Sequence, residues 1–174
     1  MLIDLSSIIK VMGAKLEIDG NVGFDNAQFL GETYRFPEPL KINGEIYNNG
    51  KSLVLAARVT GSMKTECARC LKEIDVDVDY EIHELLSRVE DGADPKDEDI
   101  ILFEGYEVEL DDIAADNFLM NVSGRYICKE DCKGLCSECG HDLNEGDCGC
   151  NRDVIDPRWQ ALADILNQQK NSEE

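Results

Sequence analysis

The chain is short of positive charge, of histidine and of long apolar runs, and each shortage removes a class of function. Its 17 lysines and arginines face 37 aspartates and glutamates over 174 residues, for a formal net charge of −20. A protein held mainly by non-specific contacts to phosphate backbones presents a basic surface, so that mode of binding is excluded. No run of about 18 apolar residues occurs, so no segment reads as a membrane-spanning helix. The opening Met1-Leu-Ile-Asp-Leu-Ser-Ser-Ile-Ile-Lys10 has no basic n-region and carries Asp4 inside its apolar part, which does not fit a signal peptide. Histidine occurs only at positions 83 and 141. There is no HExxH, no Ser-His-Asp set and no phosphate-binding glycine loop. Paired carboxylates abound, but in so acidic a chain they carry no weight as evidence of acid–base catalysis.

What is present begins with an apolar fraction of 43%, enough for a core. The length suits one domain of ordinary size, or one domain with a small appendage. Eight cysteines without an export signal point to a reducing, cytoplasmic setting, where metal binding or redox use is favoured over disulfides. Six of the eight lie between Cys128 and Cys150: Cys128, Cys132, Cys136, Cys139, Cys148 and Cys150. Two thiolates at C-x2-C spacing can hold one metal from a single turn, and a second pair completes a tetrahedron. Gly140 follows Cys136-x-x-Cys139, where a knuckle turning its N–H groups toward sulfur needs a residue tolerant of positive φ. Cys148-x-Cys150 is the nearest second pair, reached through the turn-rich His141–Asp147 segment. This predicts a small structural zinc site.

Elsewhere the periodicity favours strands. Lys15–Gly20 alternates, with Phe24, Phe29, Tyr34 and Phe36 as inward groups of the mixed stretch that follows. Leu40–Tyr47 and Ser52–Thr60 flank Asn48-Asn49-Gly50, a strong hairpin turn, with Gly61 allowing a bend or bulge. Glu73–Ile82 is the cleanest alternation in the chain: Ile74, Val76, Val78, Tyr80 and Ile82 on one face, five acids on the other. That acidic face is a solvated exterior or a docking edge for a basic protein. Residues 87–99 read as a mobile acidic loop. Ile100–Phe103 and Tyr106–Val108 form two short strands about Glu104-Gly105. Helical signals are a short helix carrying Leu5, Ile8 and Ile9 capped by Asp4 or Ser6, and a helix to about Asn121 capped by Asp111 or Asp112. The latter has Ile113, Ala114, Asn117, Phe118 and Met120 on one face. Asp156-Pro157 opens a closing helix with Trp159, Leu162, Ile165 and Leu166 as its stripe. The fold class is α+β: an antiparallel, barrel-like sheet domain over 1–127, a cysteine-rich module over 128–155, and a closing helix and tail over 156–174.

Cys67-x-x-Cys70 sits between two strand-like segments, where a hairpin knuckle fits better than a redox pair opening a helix. Metal ligation, free structural thiols and redox use are all open there. The economical scheme has two sites, Cys136, Cys139, Cys148 and Cys150 in one and Cys67, Cys70, Cys128 and Cys132 in the other. A rival scheme has one zinc held by Cys132, Cys136, Cys139 and Cys148. His141 can stand in for a cysteine, but enough sulfurs lie nearby for it to be a turn residue. Six cations, Arg58, Lys64, Arg69 and Lys72 around the hairpin with Lys129 and Lys133 in the cluster, can make one basic island touching RNA or a partner.

Cys67-Ala-Arg-Cys70-Leu, the Cys128-x3-Cys132-Lys-Gly-Leu-Cys136-x2-Cys139-Gly block with Asp142-Leu-Asn144, and the closing Asp156-Pro-Arg-Trp159 together resemble the YceD family. Its members are described as large ribosomal RNA subunit accumulation proteins. The resemblance covers most of the chain and implies a bacterial cytoplasmic factor that supports processing or accumulation of large-subunit ribosomal RNA, without catalysis. The charge then favours a precursor particle or a basic ribosomal protein as partner over naked RNA. Two other classes stay open: a zinc-stapled adaptor for a basic protein, and a thiol-based redox sensor.

Overall fold

The computed structural model describes residues 1–23, 27–29 (backbone only), 31–91, 100–150 and 159. It divides into two units, Met1–Glu130 and Asp131–Glu174. Among the described residues the first unit carries every strand: β1 Leu2–Asp4, β2 Lys15–Val22, β3 Ala27–Phe29, β4 Glu32–Tyr34, β5 Leu40–Asn48, β6 Leu53–Glu66, β7 Glu73–Arg88, β8 Ile100–Phe103 and β9 Glu107–Glu109. The one α-helix among the described residues, α1 Leu110–Asn121, follows directly. The described residues are thus mostly strand, and α+β holds only loosely.

The main sheet has the order β2-β5-β6-β7-β8 and curls as a half-barrel; β1 pairs with β9, and β3 with β4. Its long elements come from alternation in the sequence. On β7, Val78, Tyr80 and Ile82 are buried while Glu73, Asp75, Asp77, Asp79 and Glu81 are exposed. β6 opposes it over fourteen register pairs, Leu53↔Leu86 through Glu66↔Glu73, burying Leu55, Val59 and Met63 on the same side. Like charges stacked along β7 would repel, and the outer face of β6 answers them. Arg58 holds Asp79 in a two-pronged ion pair, and Lys64 reaches Glu73 at 3.0 Å and Asp75 at 3.8 Å.

Under the sheet, α1 buries Leu110, Ile113, Ala114 and Phe118. Tyr80 donates its hydroxyl to the Ala114 carbonyl at 2.7 Å, and burial pushes that phenol well above its ordinary range. Phe118 meets Phe36 and Tyr34 edge-on, with ring centres 5.1 and 5.7 Å apart. Such pairs add about 0.5–1.5 kcal/mol each to simple burial.

Several sequence expectations are corrected. Leu5 and Ile8 are buried, but they lie in a turn after β1 rather than in a helix, with Ser6 N–H donating to Asp4 Oδ1. Gly61 makes no bulge, since the β6–β7 register runs through it unbroken. It answers a close approach: a Cβ there would meet Leu40 Cδ2 at 2.5 Å. β8 and β9 do not pair with each other. β9 joins β1, and β8 joins β7 in parallel, so the sheet is not wholly antiparallel. The barrel-like expectation holds as an open half-barrel, since the edge strands β2 and β8 do not pair among the described residues. The cap of α1 is Glu109, with no side-chain bond, while Asp111 accepts from Gly23 N–H at 2.8 Å. Met120 is 86% exposed, off the helix's buried face. β7 runs on to Arg88 and a single 3-10 turn ends at Asp91, shortening the expected acidic loop; residues 92–99 lie outside the described residues. Phe24, the Phe29 side chain and the closing helix also lie outside them. Trp159 is described and is exposed.

Candidate metal centres

Two C-x-x-C turns share one backbone pattern. In the first unit, the loop from β6 to β7 closes with Cys67 N–H donating to the Lys72 carbonyl at 2.8 Å and Leu71 N–H to the Cys67 carbonyl at 2.9 Å. Leu71 sits at φ 58°, the only non-glycine residue at positive φ among those described. In the second unit, Cys136 N–H donates to the His141 carbonyl at 2.8 Å, and Gly140 N–H to the Cys136 carbonyl at 2.9 Å, with Gly140 at φ 73°. Each turn points N–H groups inward at sulfur, the arrangement that stabilises negative charge on a thiolate.

At the hairpin, Cys67 is fully buried and Cys70 nearly so. The chain returns after α1 to meet them. Ala68 N–H donates to the Tyr126 carbonyl at 2.8 Å, and Cys128 N–H to Cys67 Sγ at 3.4 Å. The Sγ atoms of Cys67, Cys70 and Cys128 lie within 4.8 Å of one another, and those of Cys70 and Cys128 are 3.7 Å apart. Sulfurs about 2.3 Å from one tetrahedral zinc stand roughly 3.8 Å from each other, so the donor set fits. Burial pushes the Cys67 thiol up, but N–H groups of Cys128, Arg69 and Cys70 and the Cys70 thiol outweigh it, lowering its pKa to about 6. Arg69 also donates from Nη1 to the Glu130 carbonyl at 3.3 Å.

In the second unit the Sγ atoms of Cys136, Cys139, Cys148 and Cys150 all lie within 4.8 Å of one another. Backbone N–H groups of Cys139 and Glu138, with the Cys148 thiol, lower Cys136 to about 6. Cys150 is pushed up to about 12 by the neighbouring Cys139 and Cys148 side chains. Without a cation, four clustered sulfurs cannot all carry charge. A divalent metal ion held by the four would remove that conflict by taking them up as thiolates. Cys132 is not in this set, which argues against the single-zinc scheme. Cys132 is buried and accepts from Asn144 Nδ2 at 3.5 Å; Asn144 in turn accepts Lys133 N–H at 3.0 Å. Between residues 131 and 150 the only buried apolar side chains are Cys132 and Cys136. This segment has sulfurs where a domain has a core.

The remaining named residues are placed as follows. Arg58 and Lys64 lie on the outer sheet face in ion pairs with the acids of β7. Arg69 and Lys72 are exposed at the hairpin turn, and Lys129 is exposed near the end of the first unit. Lys133 is exposed in the second unit, as is His141, which serves the turn through its carbonyl. Sequence reasoning missed Leu71; the signal was its position, the one Gly140 occupies in the other turn.

A family model described as "Large ribosomal RNA subunit accumulation protein YceD" matches residues 55–166, a span that includes all eight cysteines. Among curated proteins, an uncharacterised protein of Mycobacterium leprae is 27% identical over 131 residues, covering 74% of this chain and 59% of that protein. The uncharacterised YlbN of Bacillus subtilis is 23% identical over 90% of this chain and 91% of its own. The large ribosomal RNA subunit accumulation protein YCED homolog 1, chloroplastic, of Arabidopsis thaliana is 28% identical over 38% of this chain and 21% of its own. The chain spans 59–65% of the length of the mycobacterial relatives it matches. No solved structure matches. With the family model covering more than half of its residues, the chain belongs to the YceD family.

Proposed function

We propose that this protein is a non-enzymatic cytoplasmic factor that supports processing or accumulation of large-subunit ribosomal RNA, stabilised by structural zinc. The observation that carries this reading is the family match over 55–166, which spans both cysteine turns. The donor chemistry supports zinc as the group: soft thiolates only, no imidazole in either set, and no open ligand position to serve catalysis. Cys136, Cys139, Cys148 and Cys150 hold one ion. Cys67, Cys70 and Cys128 hold a second, with Cys132 as the fourth ligand, since it follows Cys128 by only four residues and is buried. Zinc supplies cross-linking here, and the chain's own residues supply the surfaces.

Partner choice follows from charge. A chain at −20 gains by meeting a basic protein and loses by approaching a bare phosphate backbone. The partner is therefore a large-subunit precursor particle or a basic ribosomal protein on it. Arg69, Lys72, Lys129 and Lys133, all exposed, supply the local contacts to phosphate together with Arg58 and Lys64 on the outer sheet face. The test is depletion of the protein in its native host, with large- and small-subunit ribosomal RNA quantified separately. A selective fall in the large-subunit species, restored by the wild-type gene, is the expected result. Equal loss of both, or of neither, would refute the reading.

A further inference from the structure

Among the described residues the edge of β7 is open beyond its short pairing with β8. Antiparallel partners alternate between pairs that exchange both backbone hydrogen bonds and pairs that exchange none. Arg35 and Lys64 exchange both of theirs on the far side of β6, at 2.9 and 2.8 Å. Lys64 therefore has no backbone bond left for its register partner Asp75. Asp75 is in a non-bonded pair, and Asp77, Asp79 and Glu81 follow at period two. Their N–H and C=O groups point away from β6, along the free edge. β8 covers that edge only from Leu85 to Arg88. Among the described residues no other strand pairs with it.

The two faces of this edge differ in chemistry. Outward stand the exposed side chains of Asp75, Asp77, Asp79 and Glu81. Asp77 makes no ion pair with any described residue. On the inner side a shallow groove of about 80 Å³, open to solvent, is lined by Met63, Val78, Tyr80 and Phe118 together with the polar Asp77 and Asn121. Natural sheets commonly blunt an edge with lysine or proline; Glu73–Glu84 contains neither. A second copy of the same edge is disfavoured by like charge. So is the chain's own Gly92–Asp99, whose four acids and one lysine give a net −3 and whose Pro95 lacks an N–H.

We propose that the β7 edge between Asp75 and Glu81 binds an extended segment of a basic protein as an added strand, with cationic side chains over the acids and an apolar one in the groove. Main-chain bonds give affinity in this mode, and alternate side chains give specificity. The inference rests on the basic partner proposed above and names how it is held.

The experiment uses the full-length chain and a labelled synthetic peptide, Lys-Val-Lys-Ile-Lys-Val-Lys, followed by fluorescence anisotropy at physiological salt. The expected result is saturable binding. Asp77→Pro should weaken it by about tenfold or more, the cost of a lost main-chain bond. That N–H lies outside the β6 ladder, so hydrogen exchange in β6 should not change. Asp77→Asn, which removes charge alone, should weaken it by less than about threefold. A peptide N-methylated at alternate residues should lose as much as Asp77→Pro causes, which keeps the test decisive if that variant misfolds. Binding indifferent to N-methylation would overturn the proposal, since attraction would then be charge alone. Binding seen only after residues 92–99 are replaced by a glycine–serine linker would overturn it too, placing the chain's own segment on the edge. A ribosomal RNA defect on depletion, combined with no peptide binding, would remove this edge as the site while leaving the proposed function standing.

Discussion

The two cysteine turns use the same hydrogen bonds and differ in what supports them. Cys67–Lys72 closes a hairpin whose strands run through fourteen register pairs and bury Val59, Met63, Tyr80 and Ile82. Cys136–His141 stands in a segment that buries no apolar side chain other than two cysteines. The hairpin tolerates Leu71 at φ 58°, a conformation costing an L-residue about 1–2 kcal/mol, because the ladder leaves the turn no alternative. The second turn has Gly140 at that position, where the conformation carries no such cost. A sheet can impose a strained turn, whereas a segment without a core needs an unstrained turn and a metal.

Removing the metal breaks the comparison most strongly. A chelator, or Cys136→Ser, should abolish hydrogen-exchange protection across 131–150 while leaving the β5–β6–β7 ladder protected. Cys67→Ser should lower zinc content by one ion per chain with the sheet still folded. Loss of protection in both units after Cys136→Ser would show that the sheet, too, depends on the second ion. Exchanging the residues after the cysteines comes next. Gly140→Leu should cost about 1–2 kcal/mol, read as roughly tenfold or more weaker zinc retention in a chelator competition. Leu71→Gly should change stability by less than about 1 kcal/mol, since relief of the left-handed leucine is offset by a more flexible unfolded chain. Equal effects from the two swaps would mean that the sheet contributes no support to its turn.

The smallest effect is electrostatic and belongs to the sheet alone. The Arg58 hydrogen bond lowers the Asp79 carboxyl below its usual value of 3.8, and Lys64 does the same for Glu73, usually 4.5. Each is easier to ionise in the folded chain than in the unfolded one. Their contribution is therefore present above those usual values and is lost as pH falls through the lowered ones. Both groups are exposed, so Arg58→Ala should give a small, salt-sensitive drop in Tm at neutral pH that disappears below about pH 3. A drop that persists at low pH would point to packing by the arginine stem instead.

Much of the sheet was legible because its signals are local. The Asn49-Gly50 turn and the strict alternation of β7 fixed three central strands and their faces. Spacing offered Cys136, Cys139, Cys148 and Cys150 as one set but left the rival set with Cys132 open; it takes the fold to bring the first four sulfurs within 4.8 Å of one another. What failed was partner choice for short apolar runs. Ile100–Phe103 and Tyr106–Val108 look like a hairpin, yet they join β7 and β1, since four apolar residues say nothing about which edge they meet. Leu5, Ile8 and Ile9 imitate a helical stripe because i, i+3 and i+4 spacing also suits a buried turn. Met120 shows the same limit on α1, where a neighbour on the apolar stripe faces water.

The approach of Cys70 to Cys128, 58 residues along the chain, has a consequence for the unfolded state. An ion gripping both closes a long loop before any packing forms. In the chain-entropy picture used for disulfides, a loop of that size removes about 4 kcal/mol of denatured-state freedom, against roughly 2.6 for the nine-residue step from Cys139 to Cys148. Strands β7, β8 and β9 and helix α1 lie within the longer loop. A metal bound there early in folding would bring α1 back toward the start of β7 and shorten the search for the Tyr80–Ala114 and Glu84–Asn117 bonds.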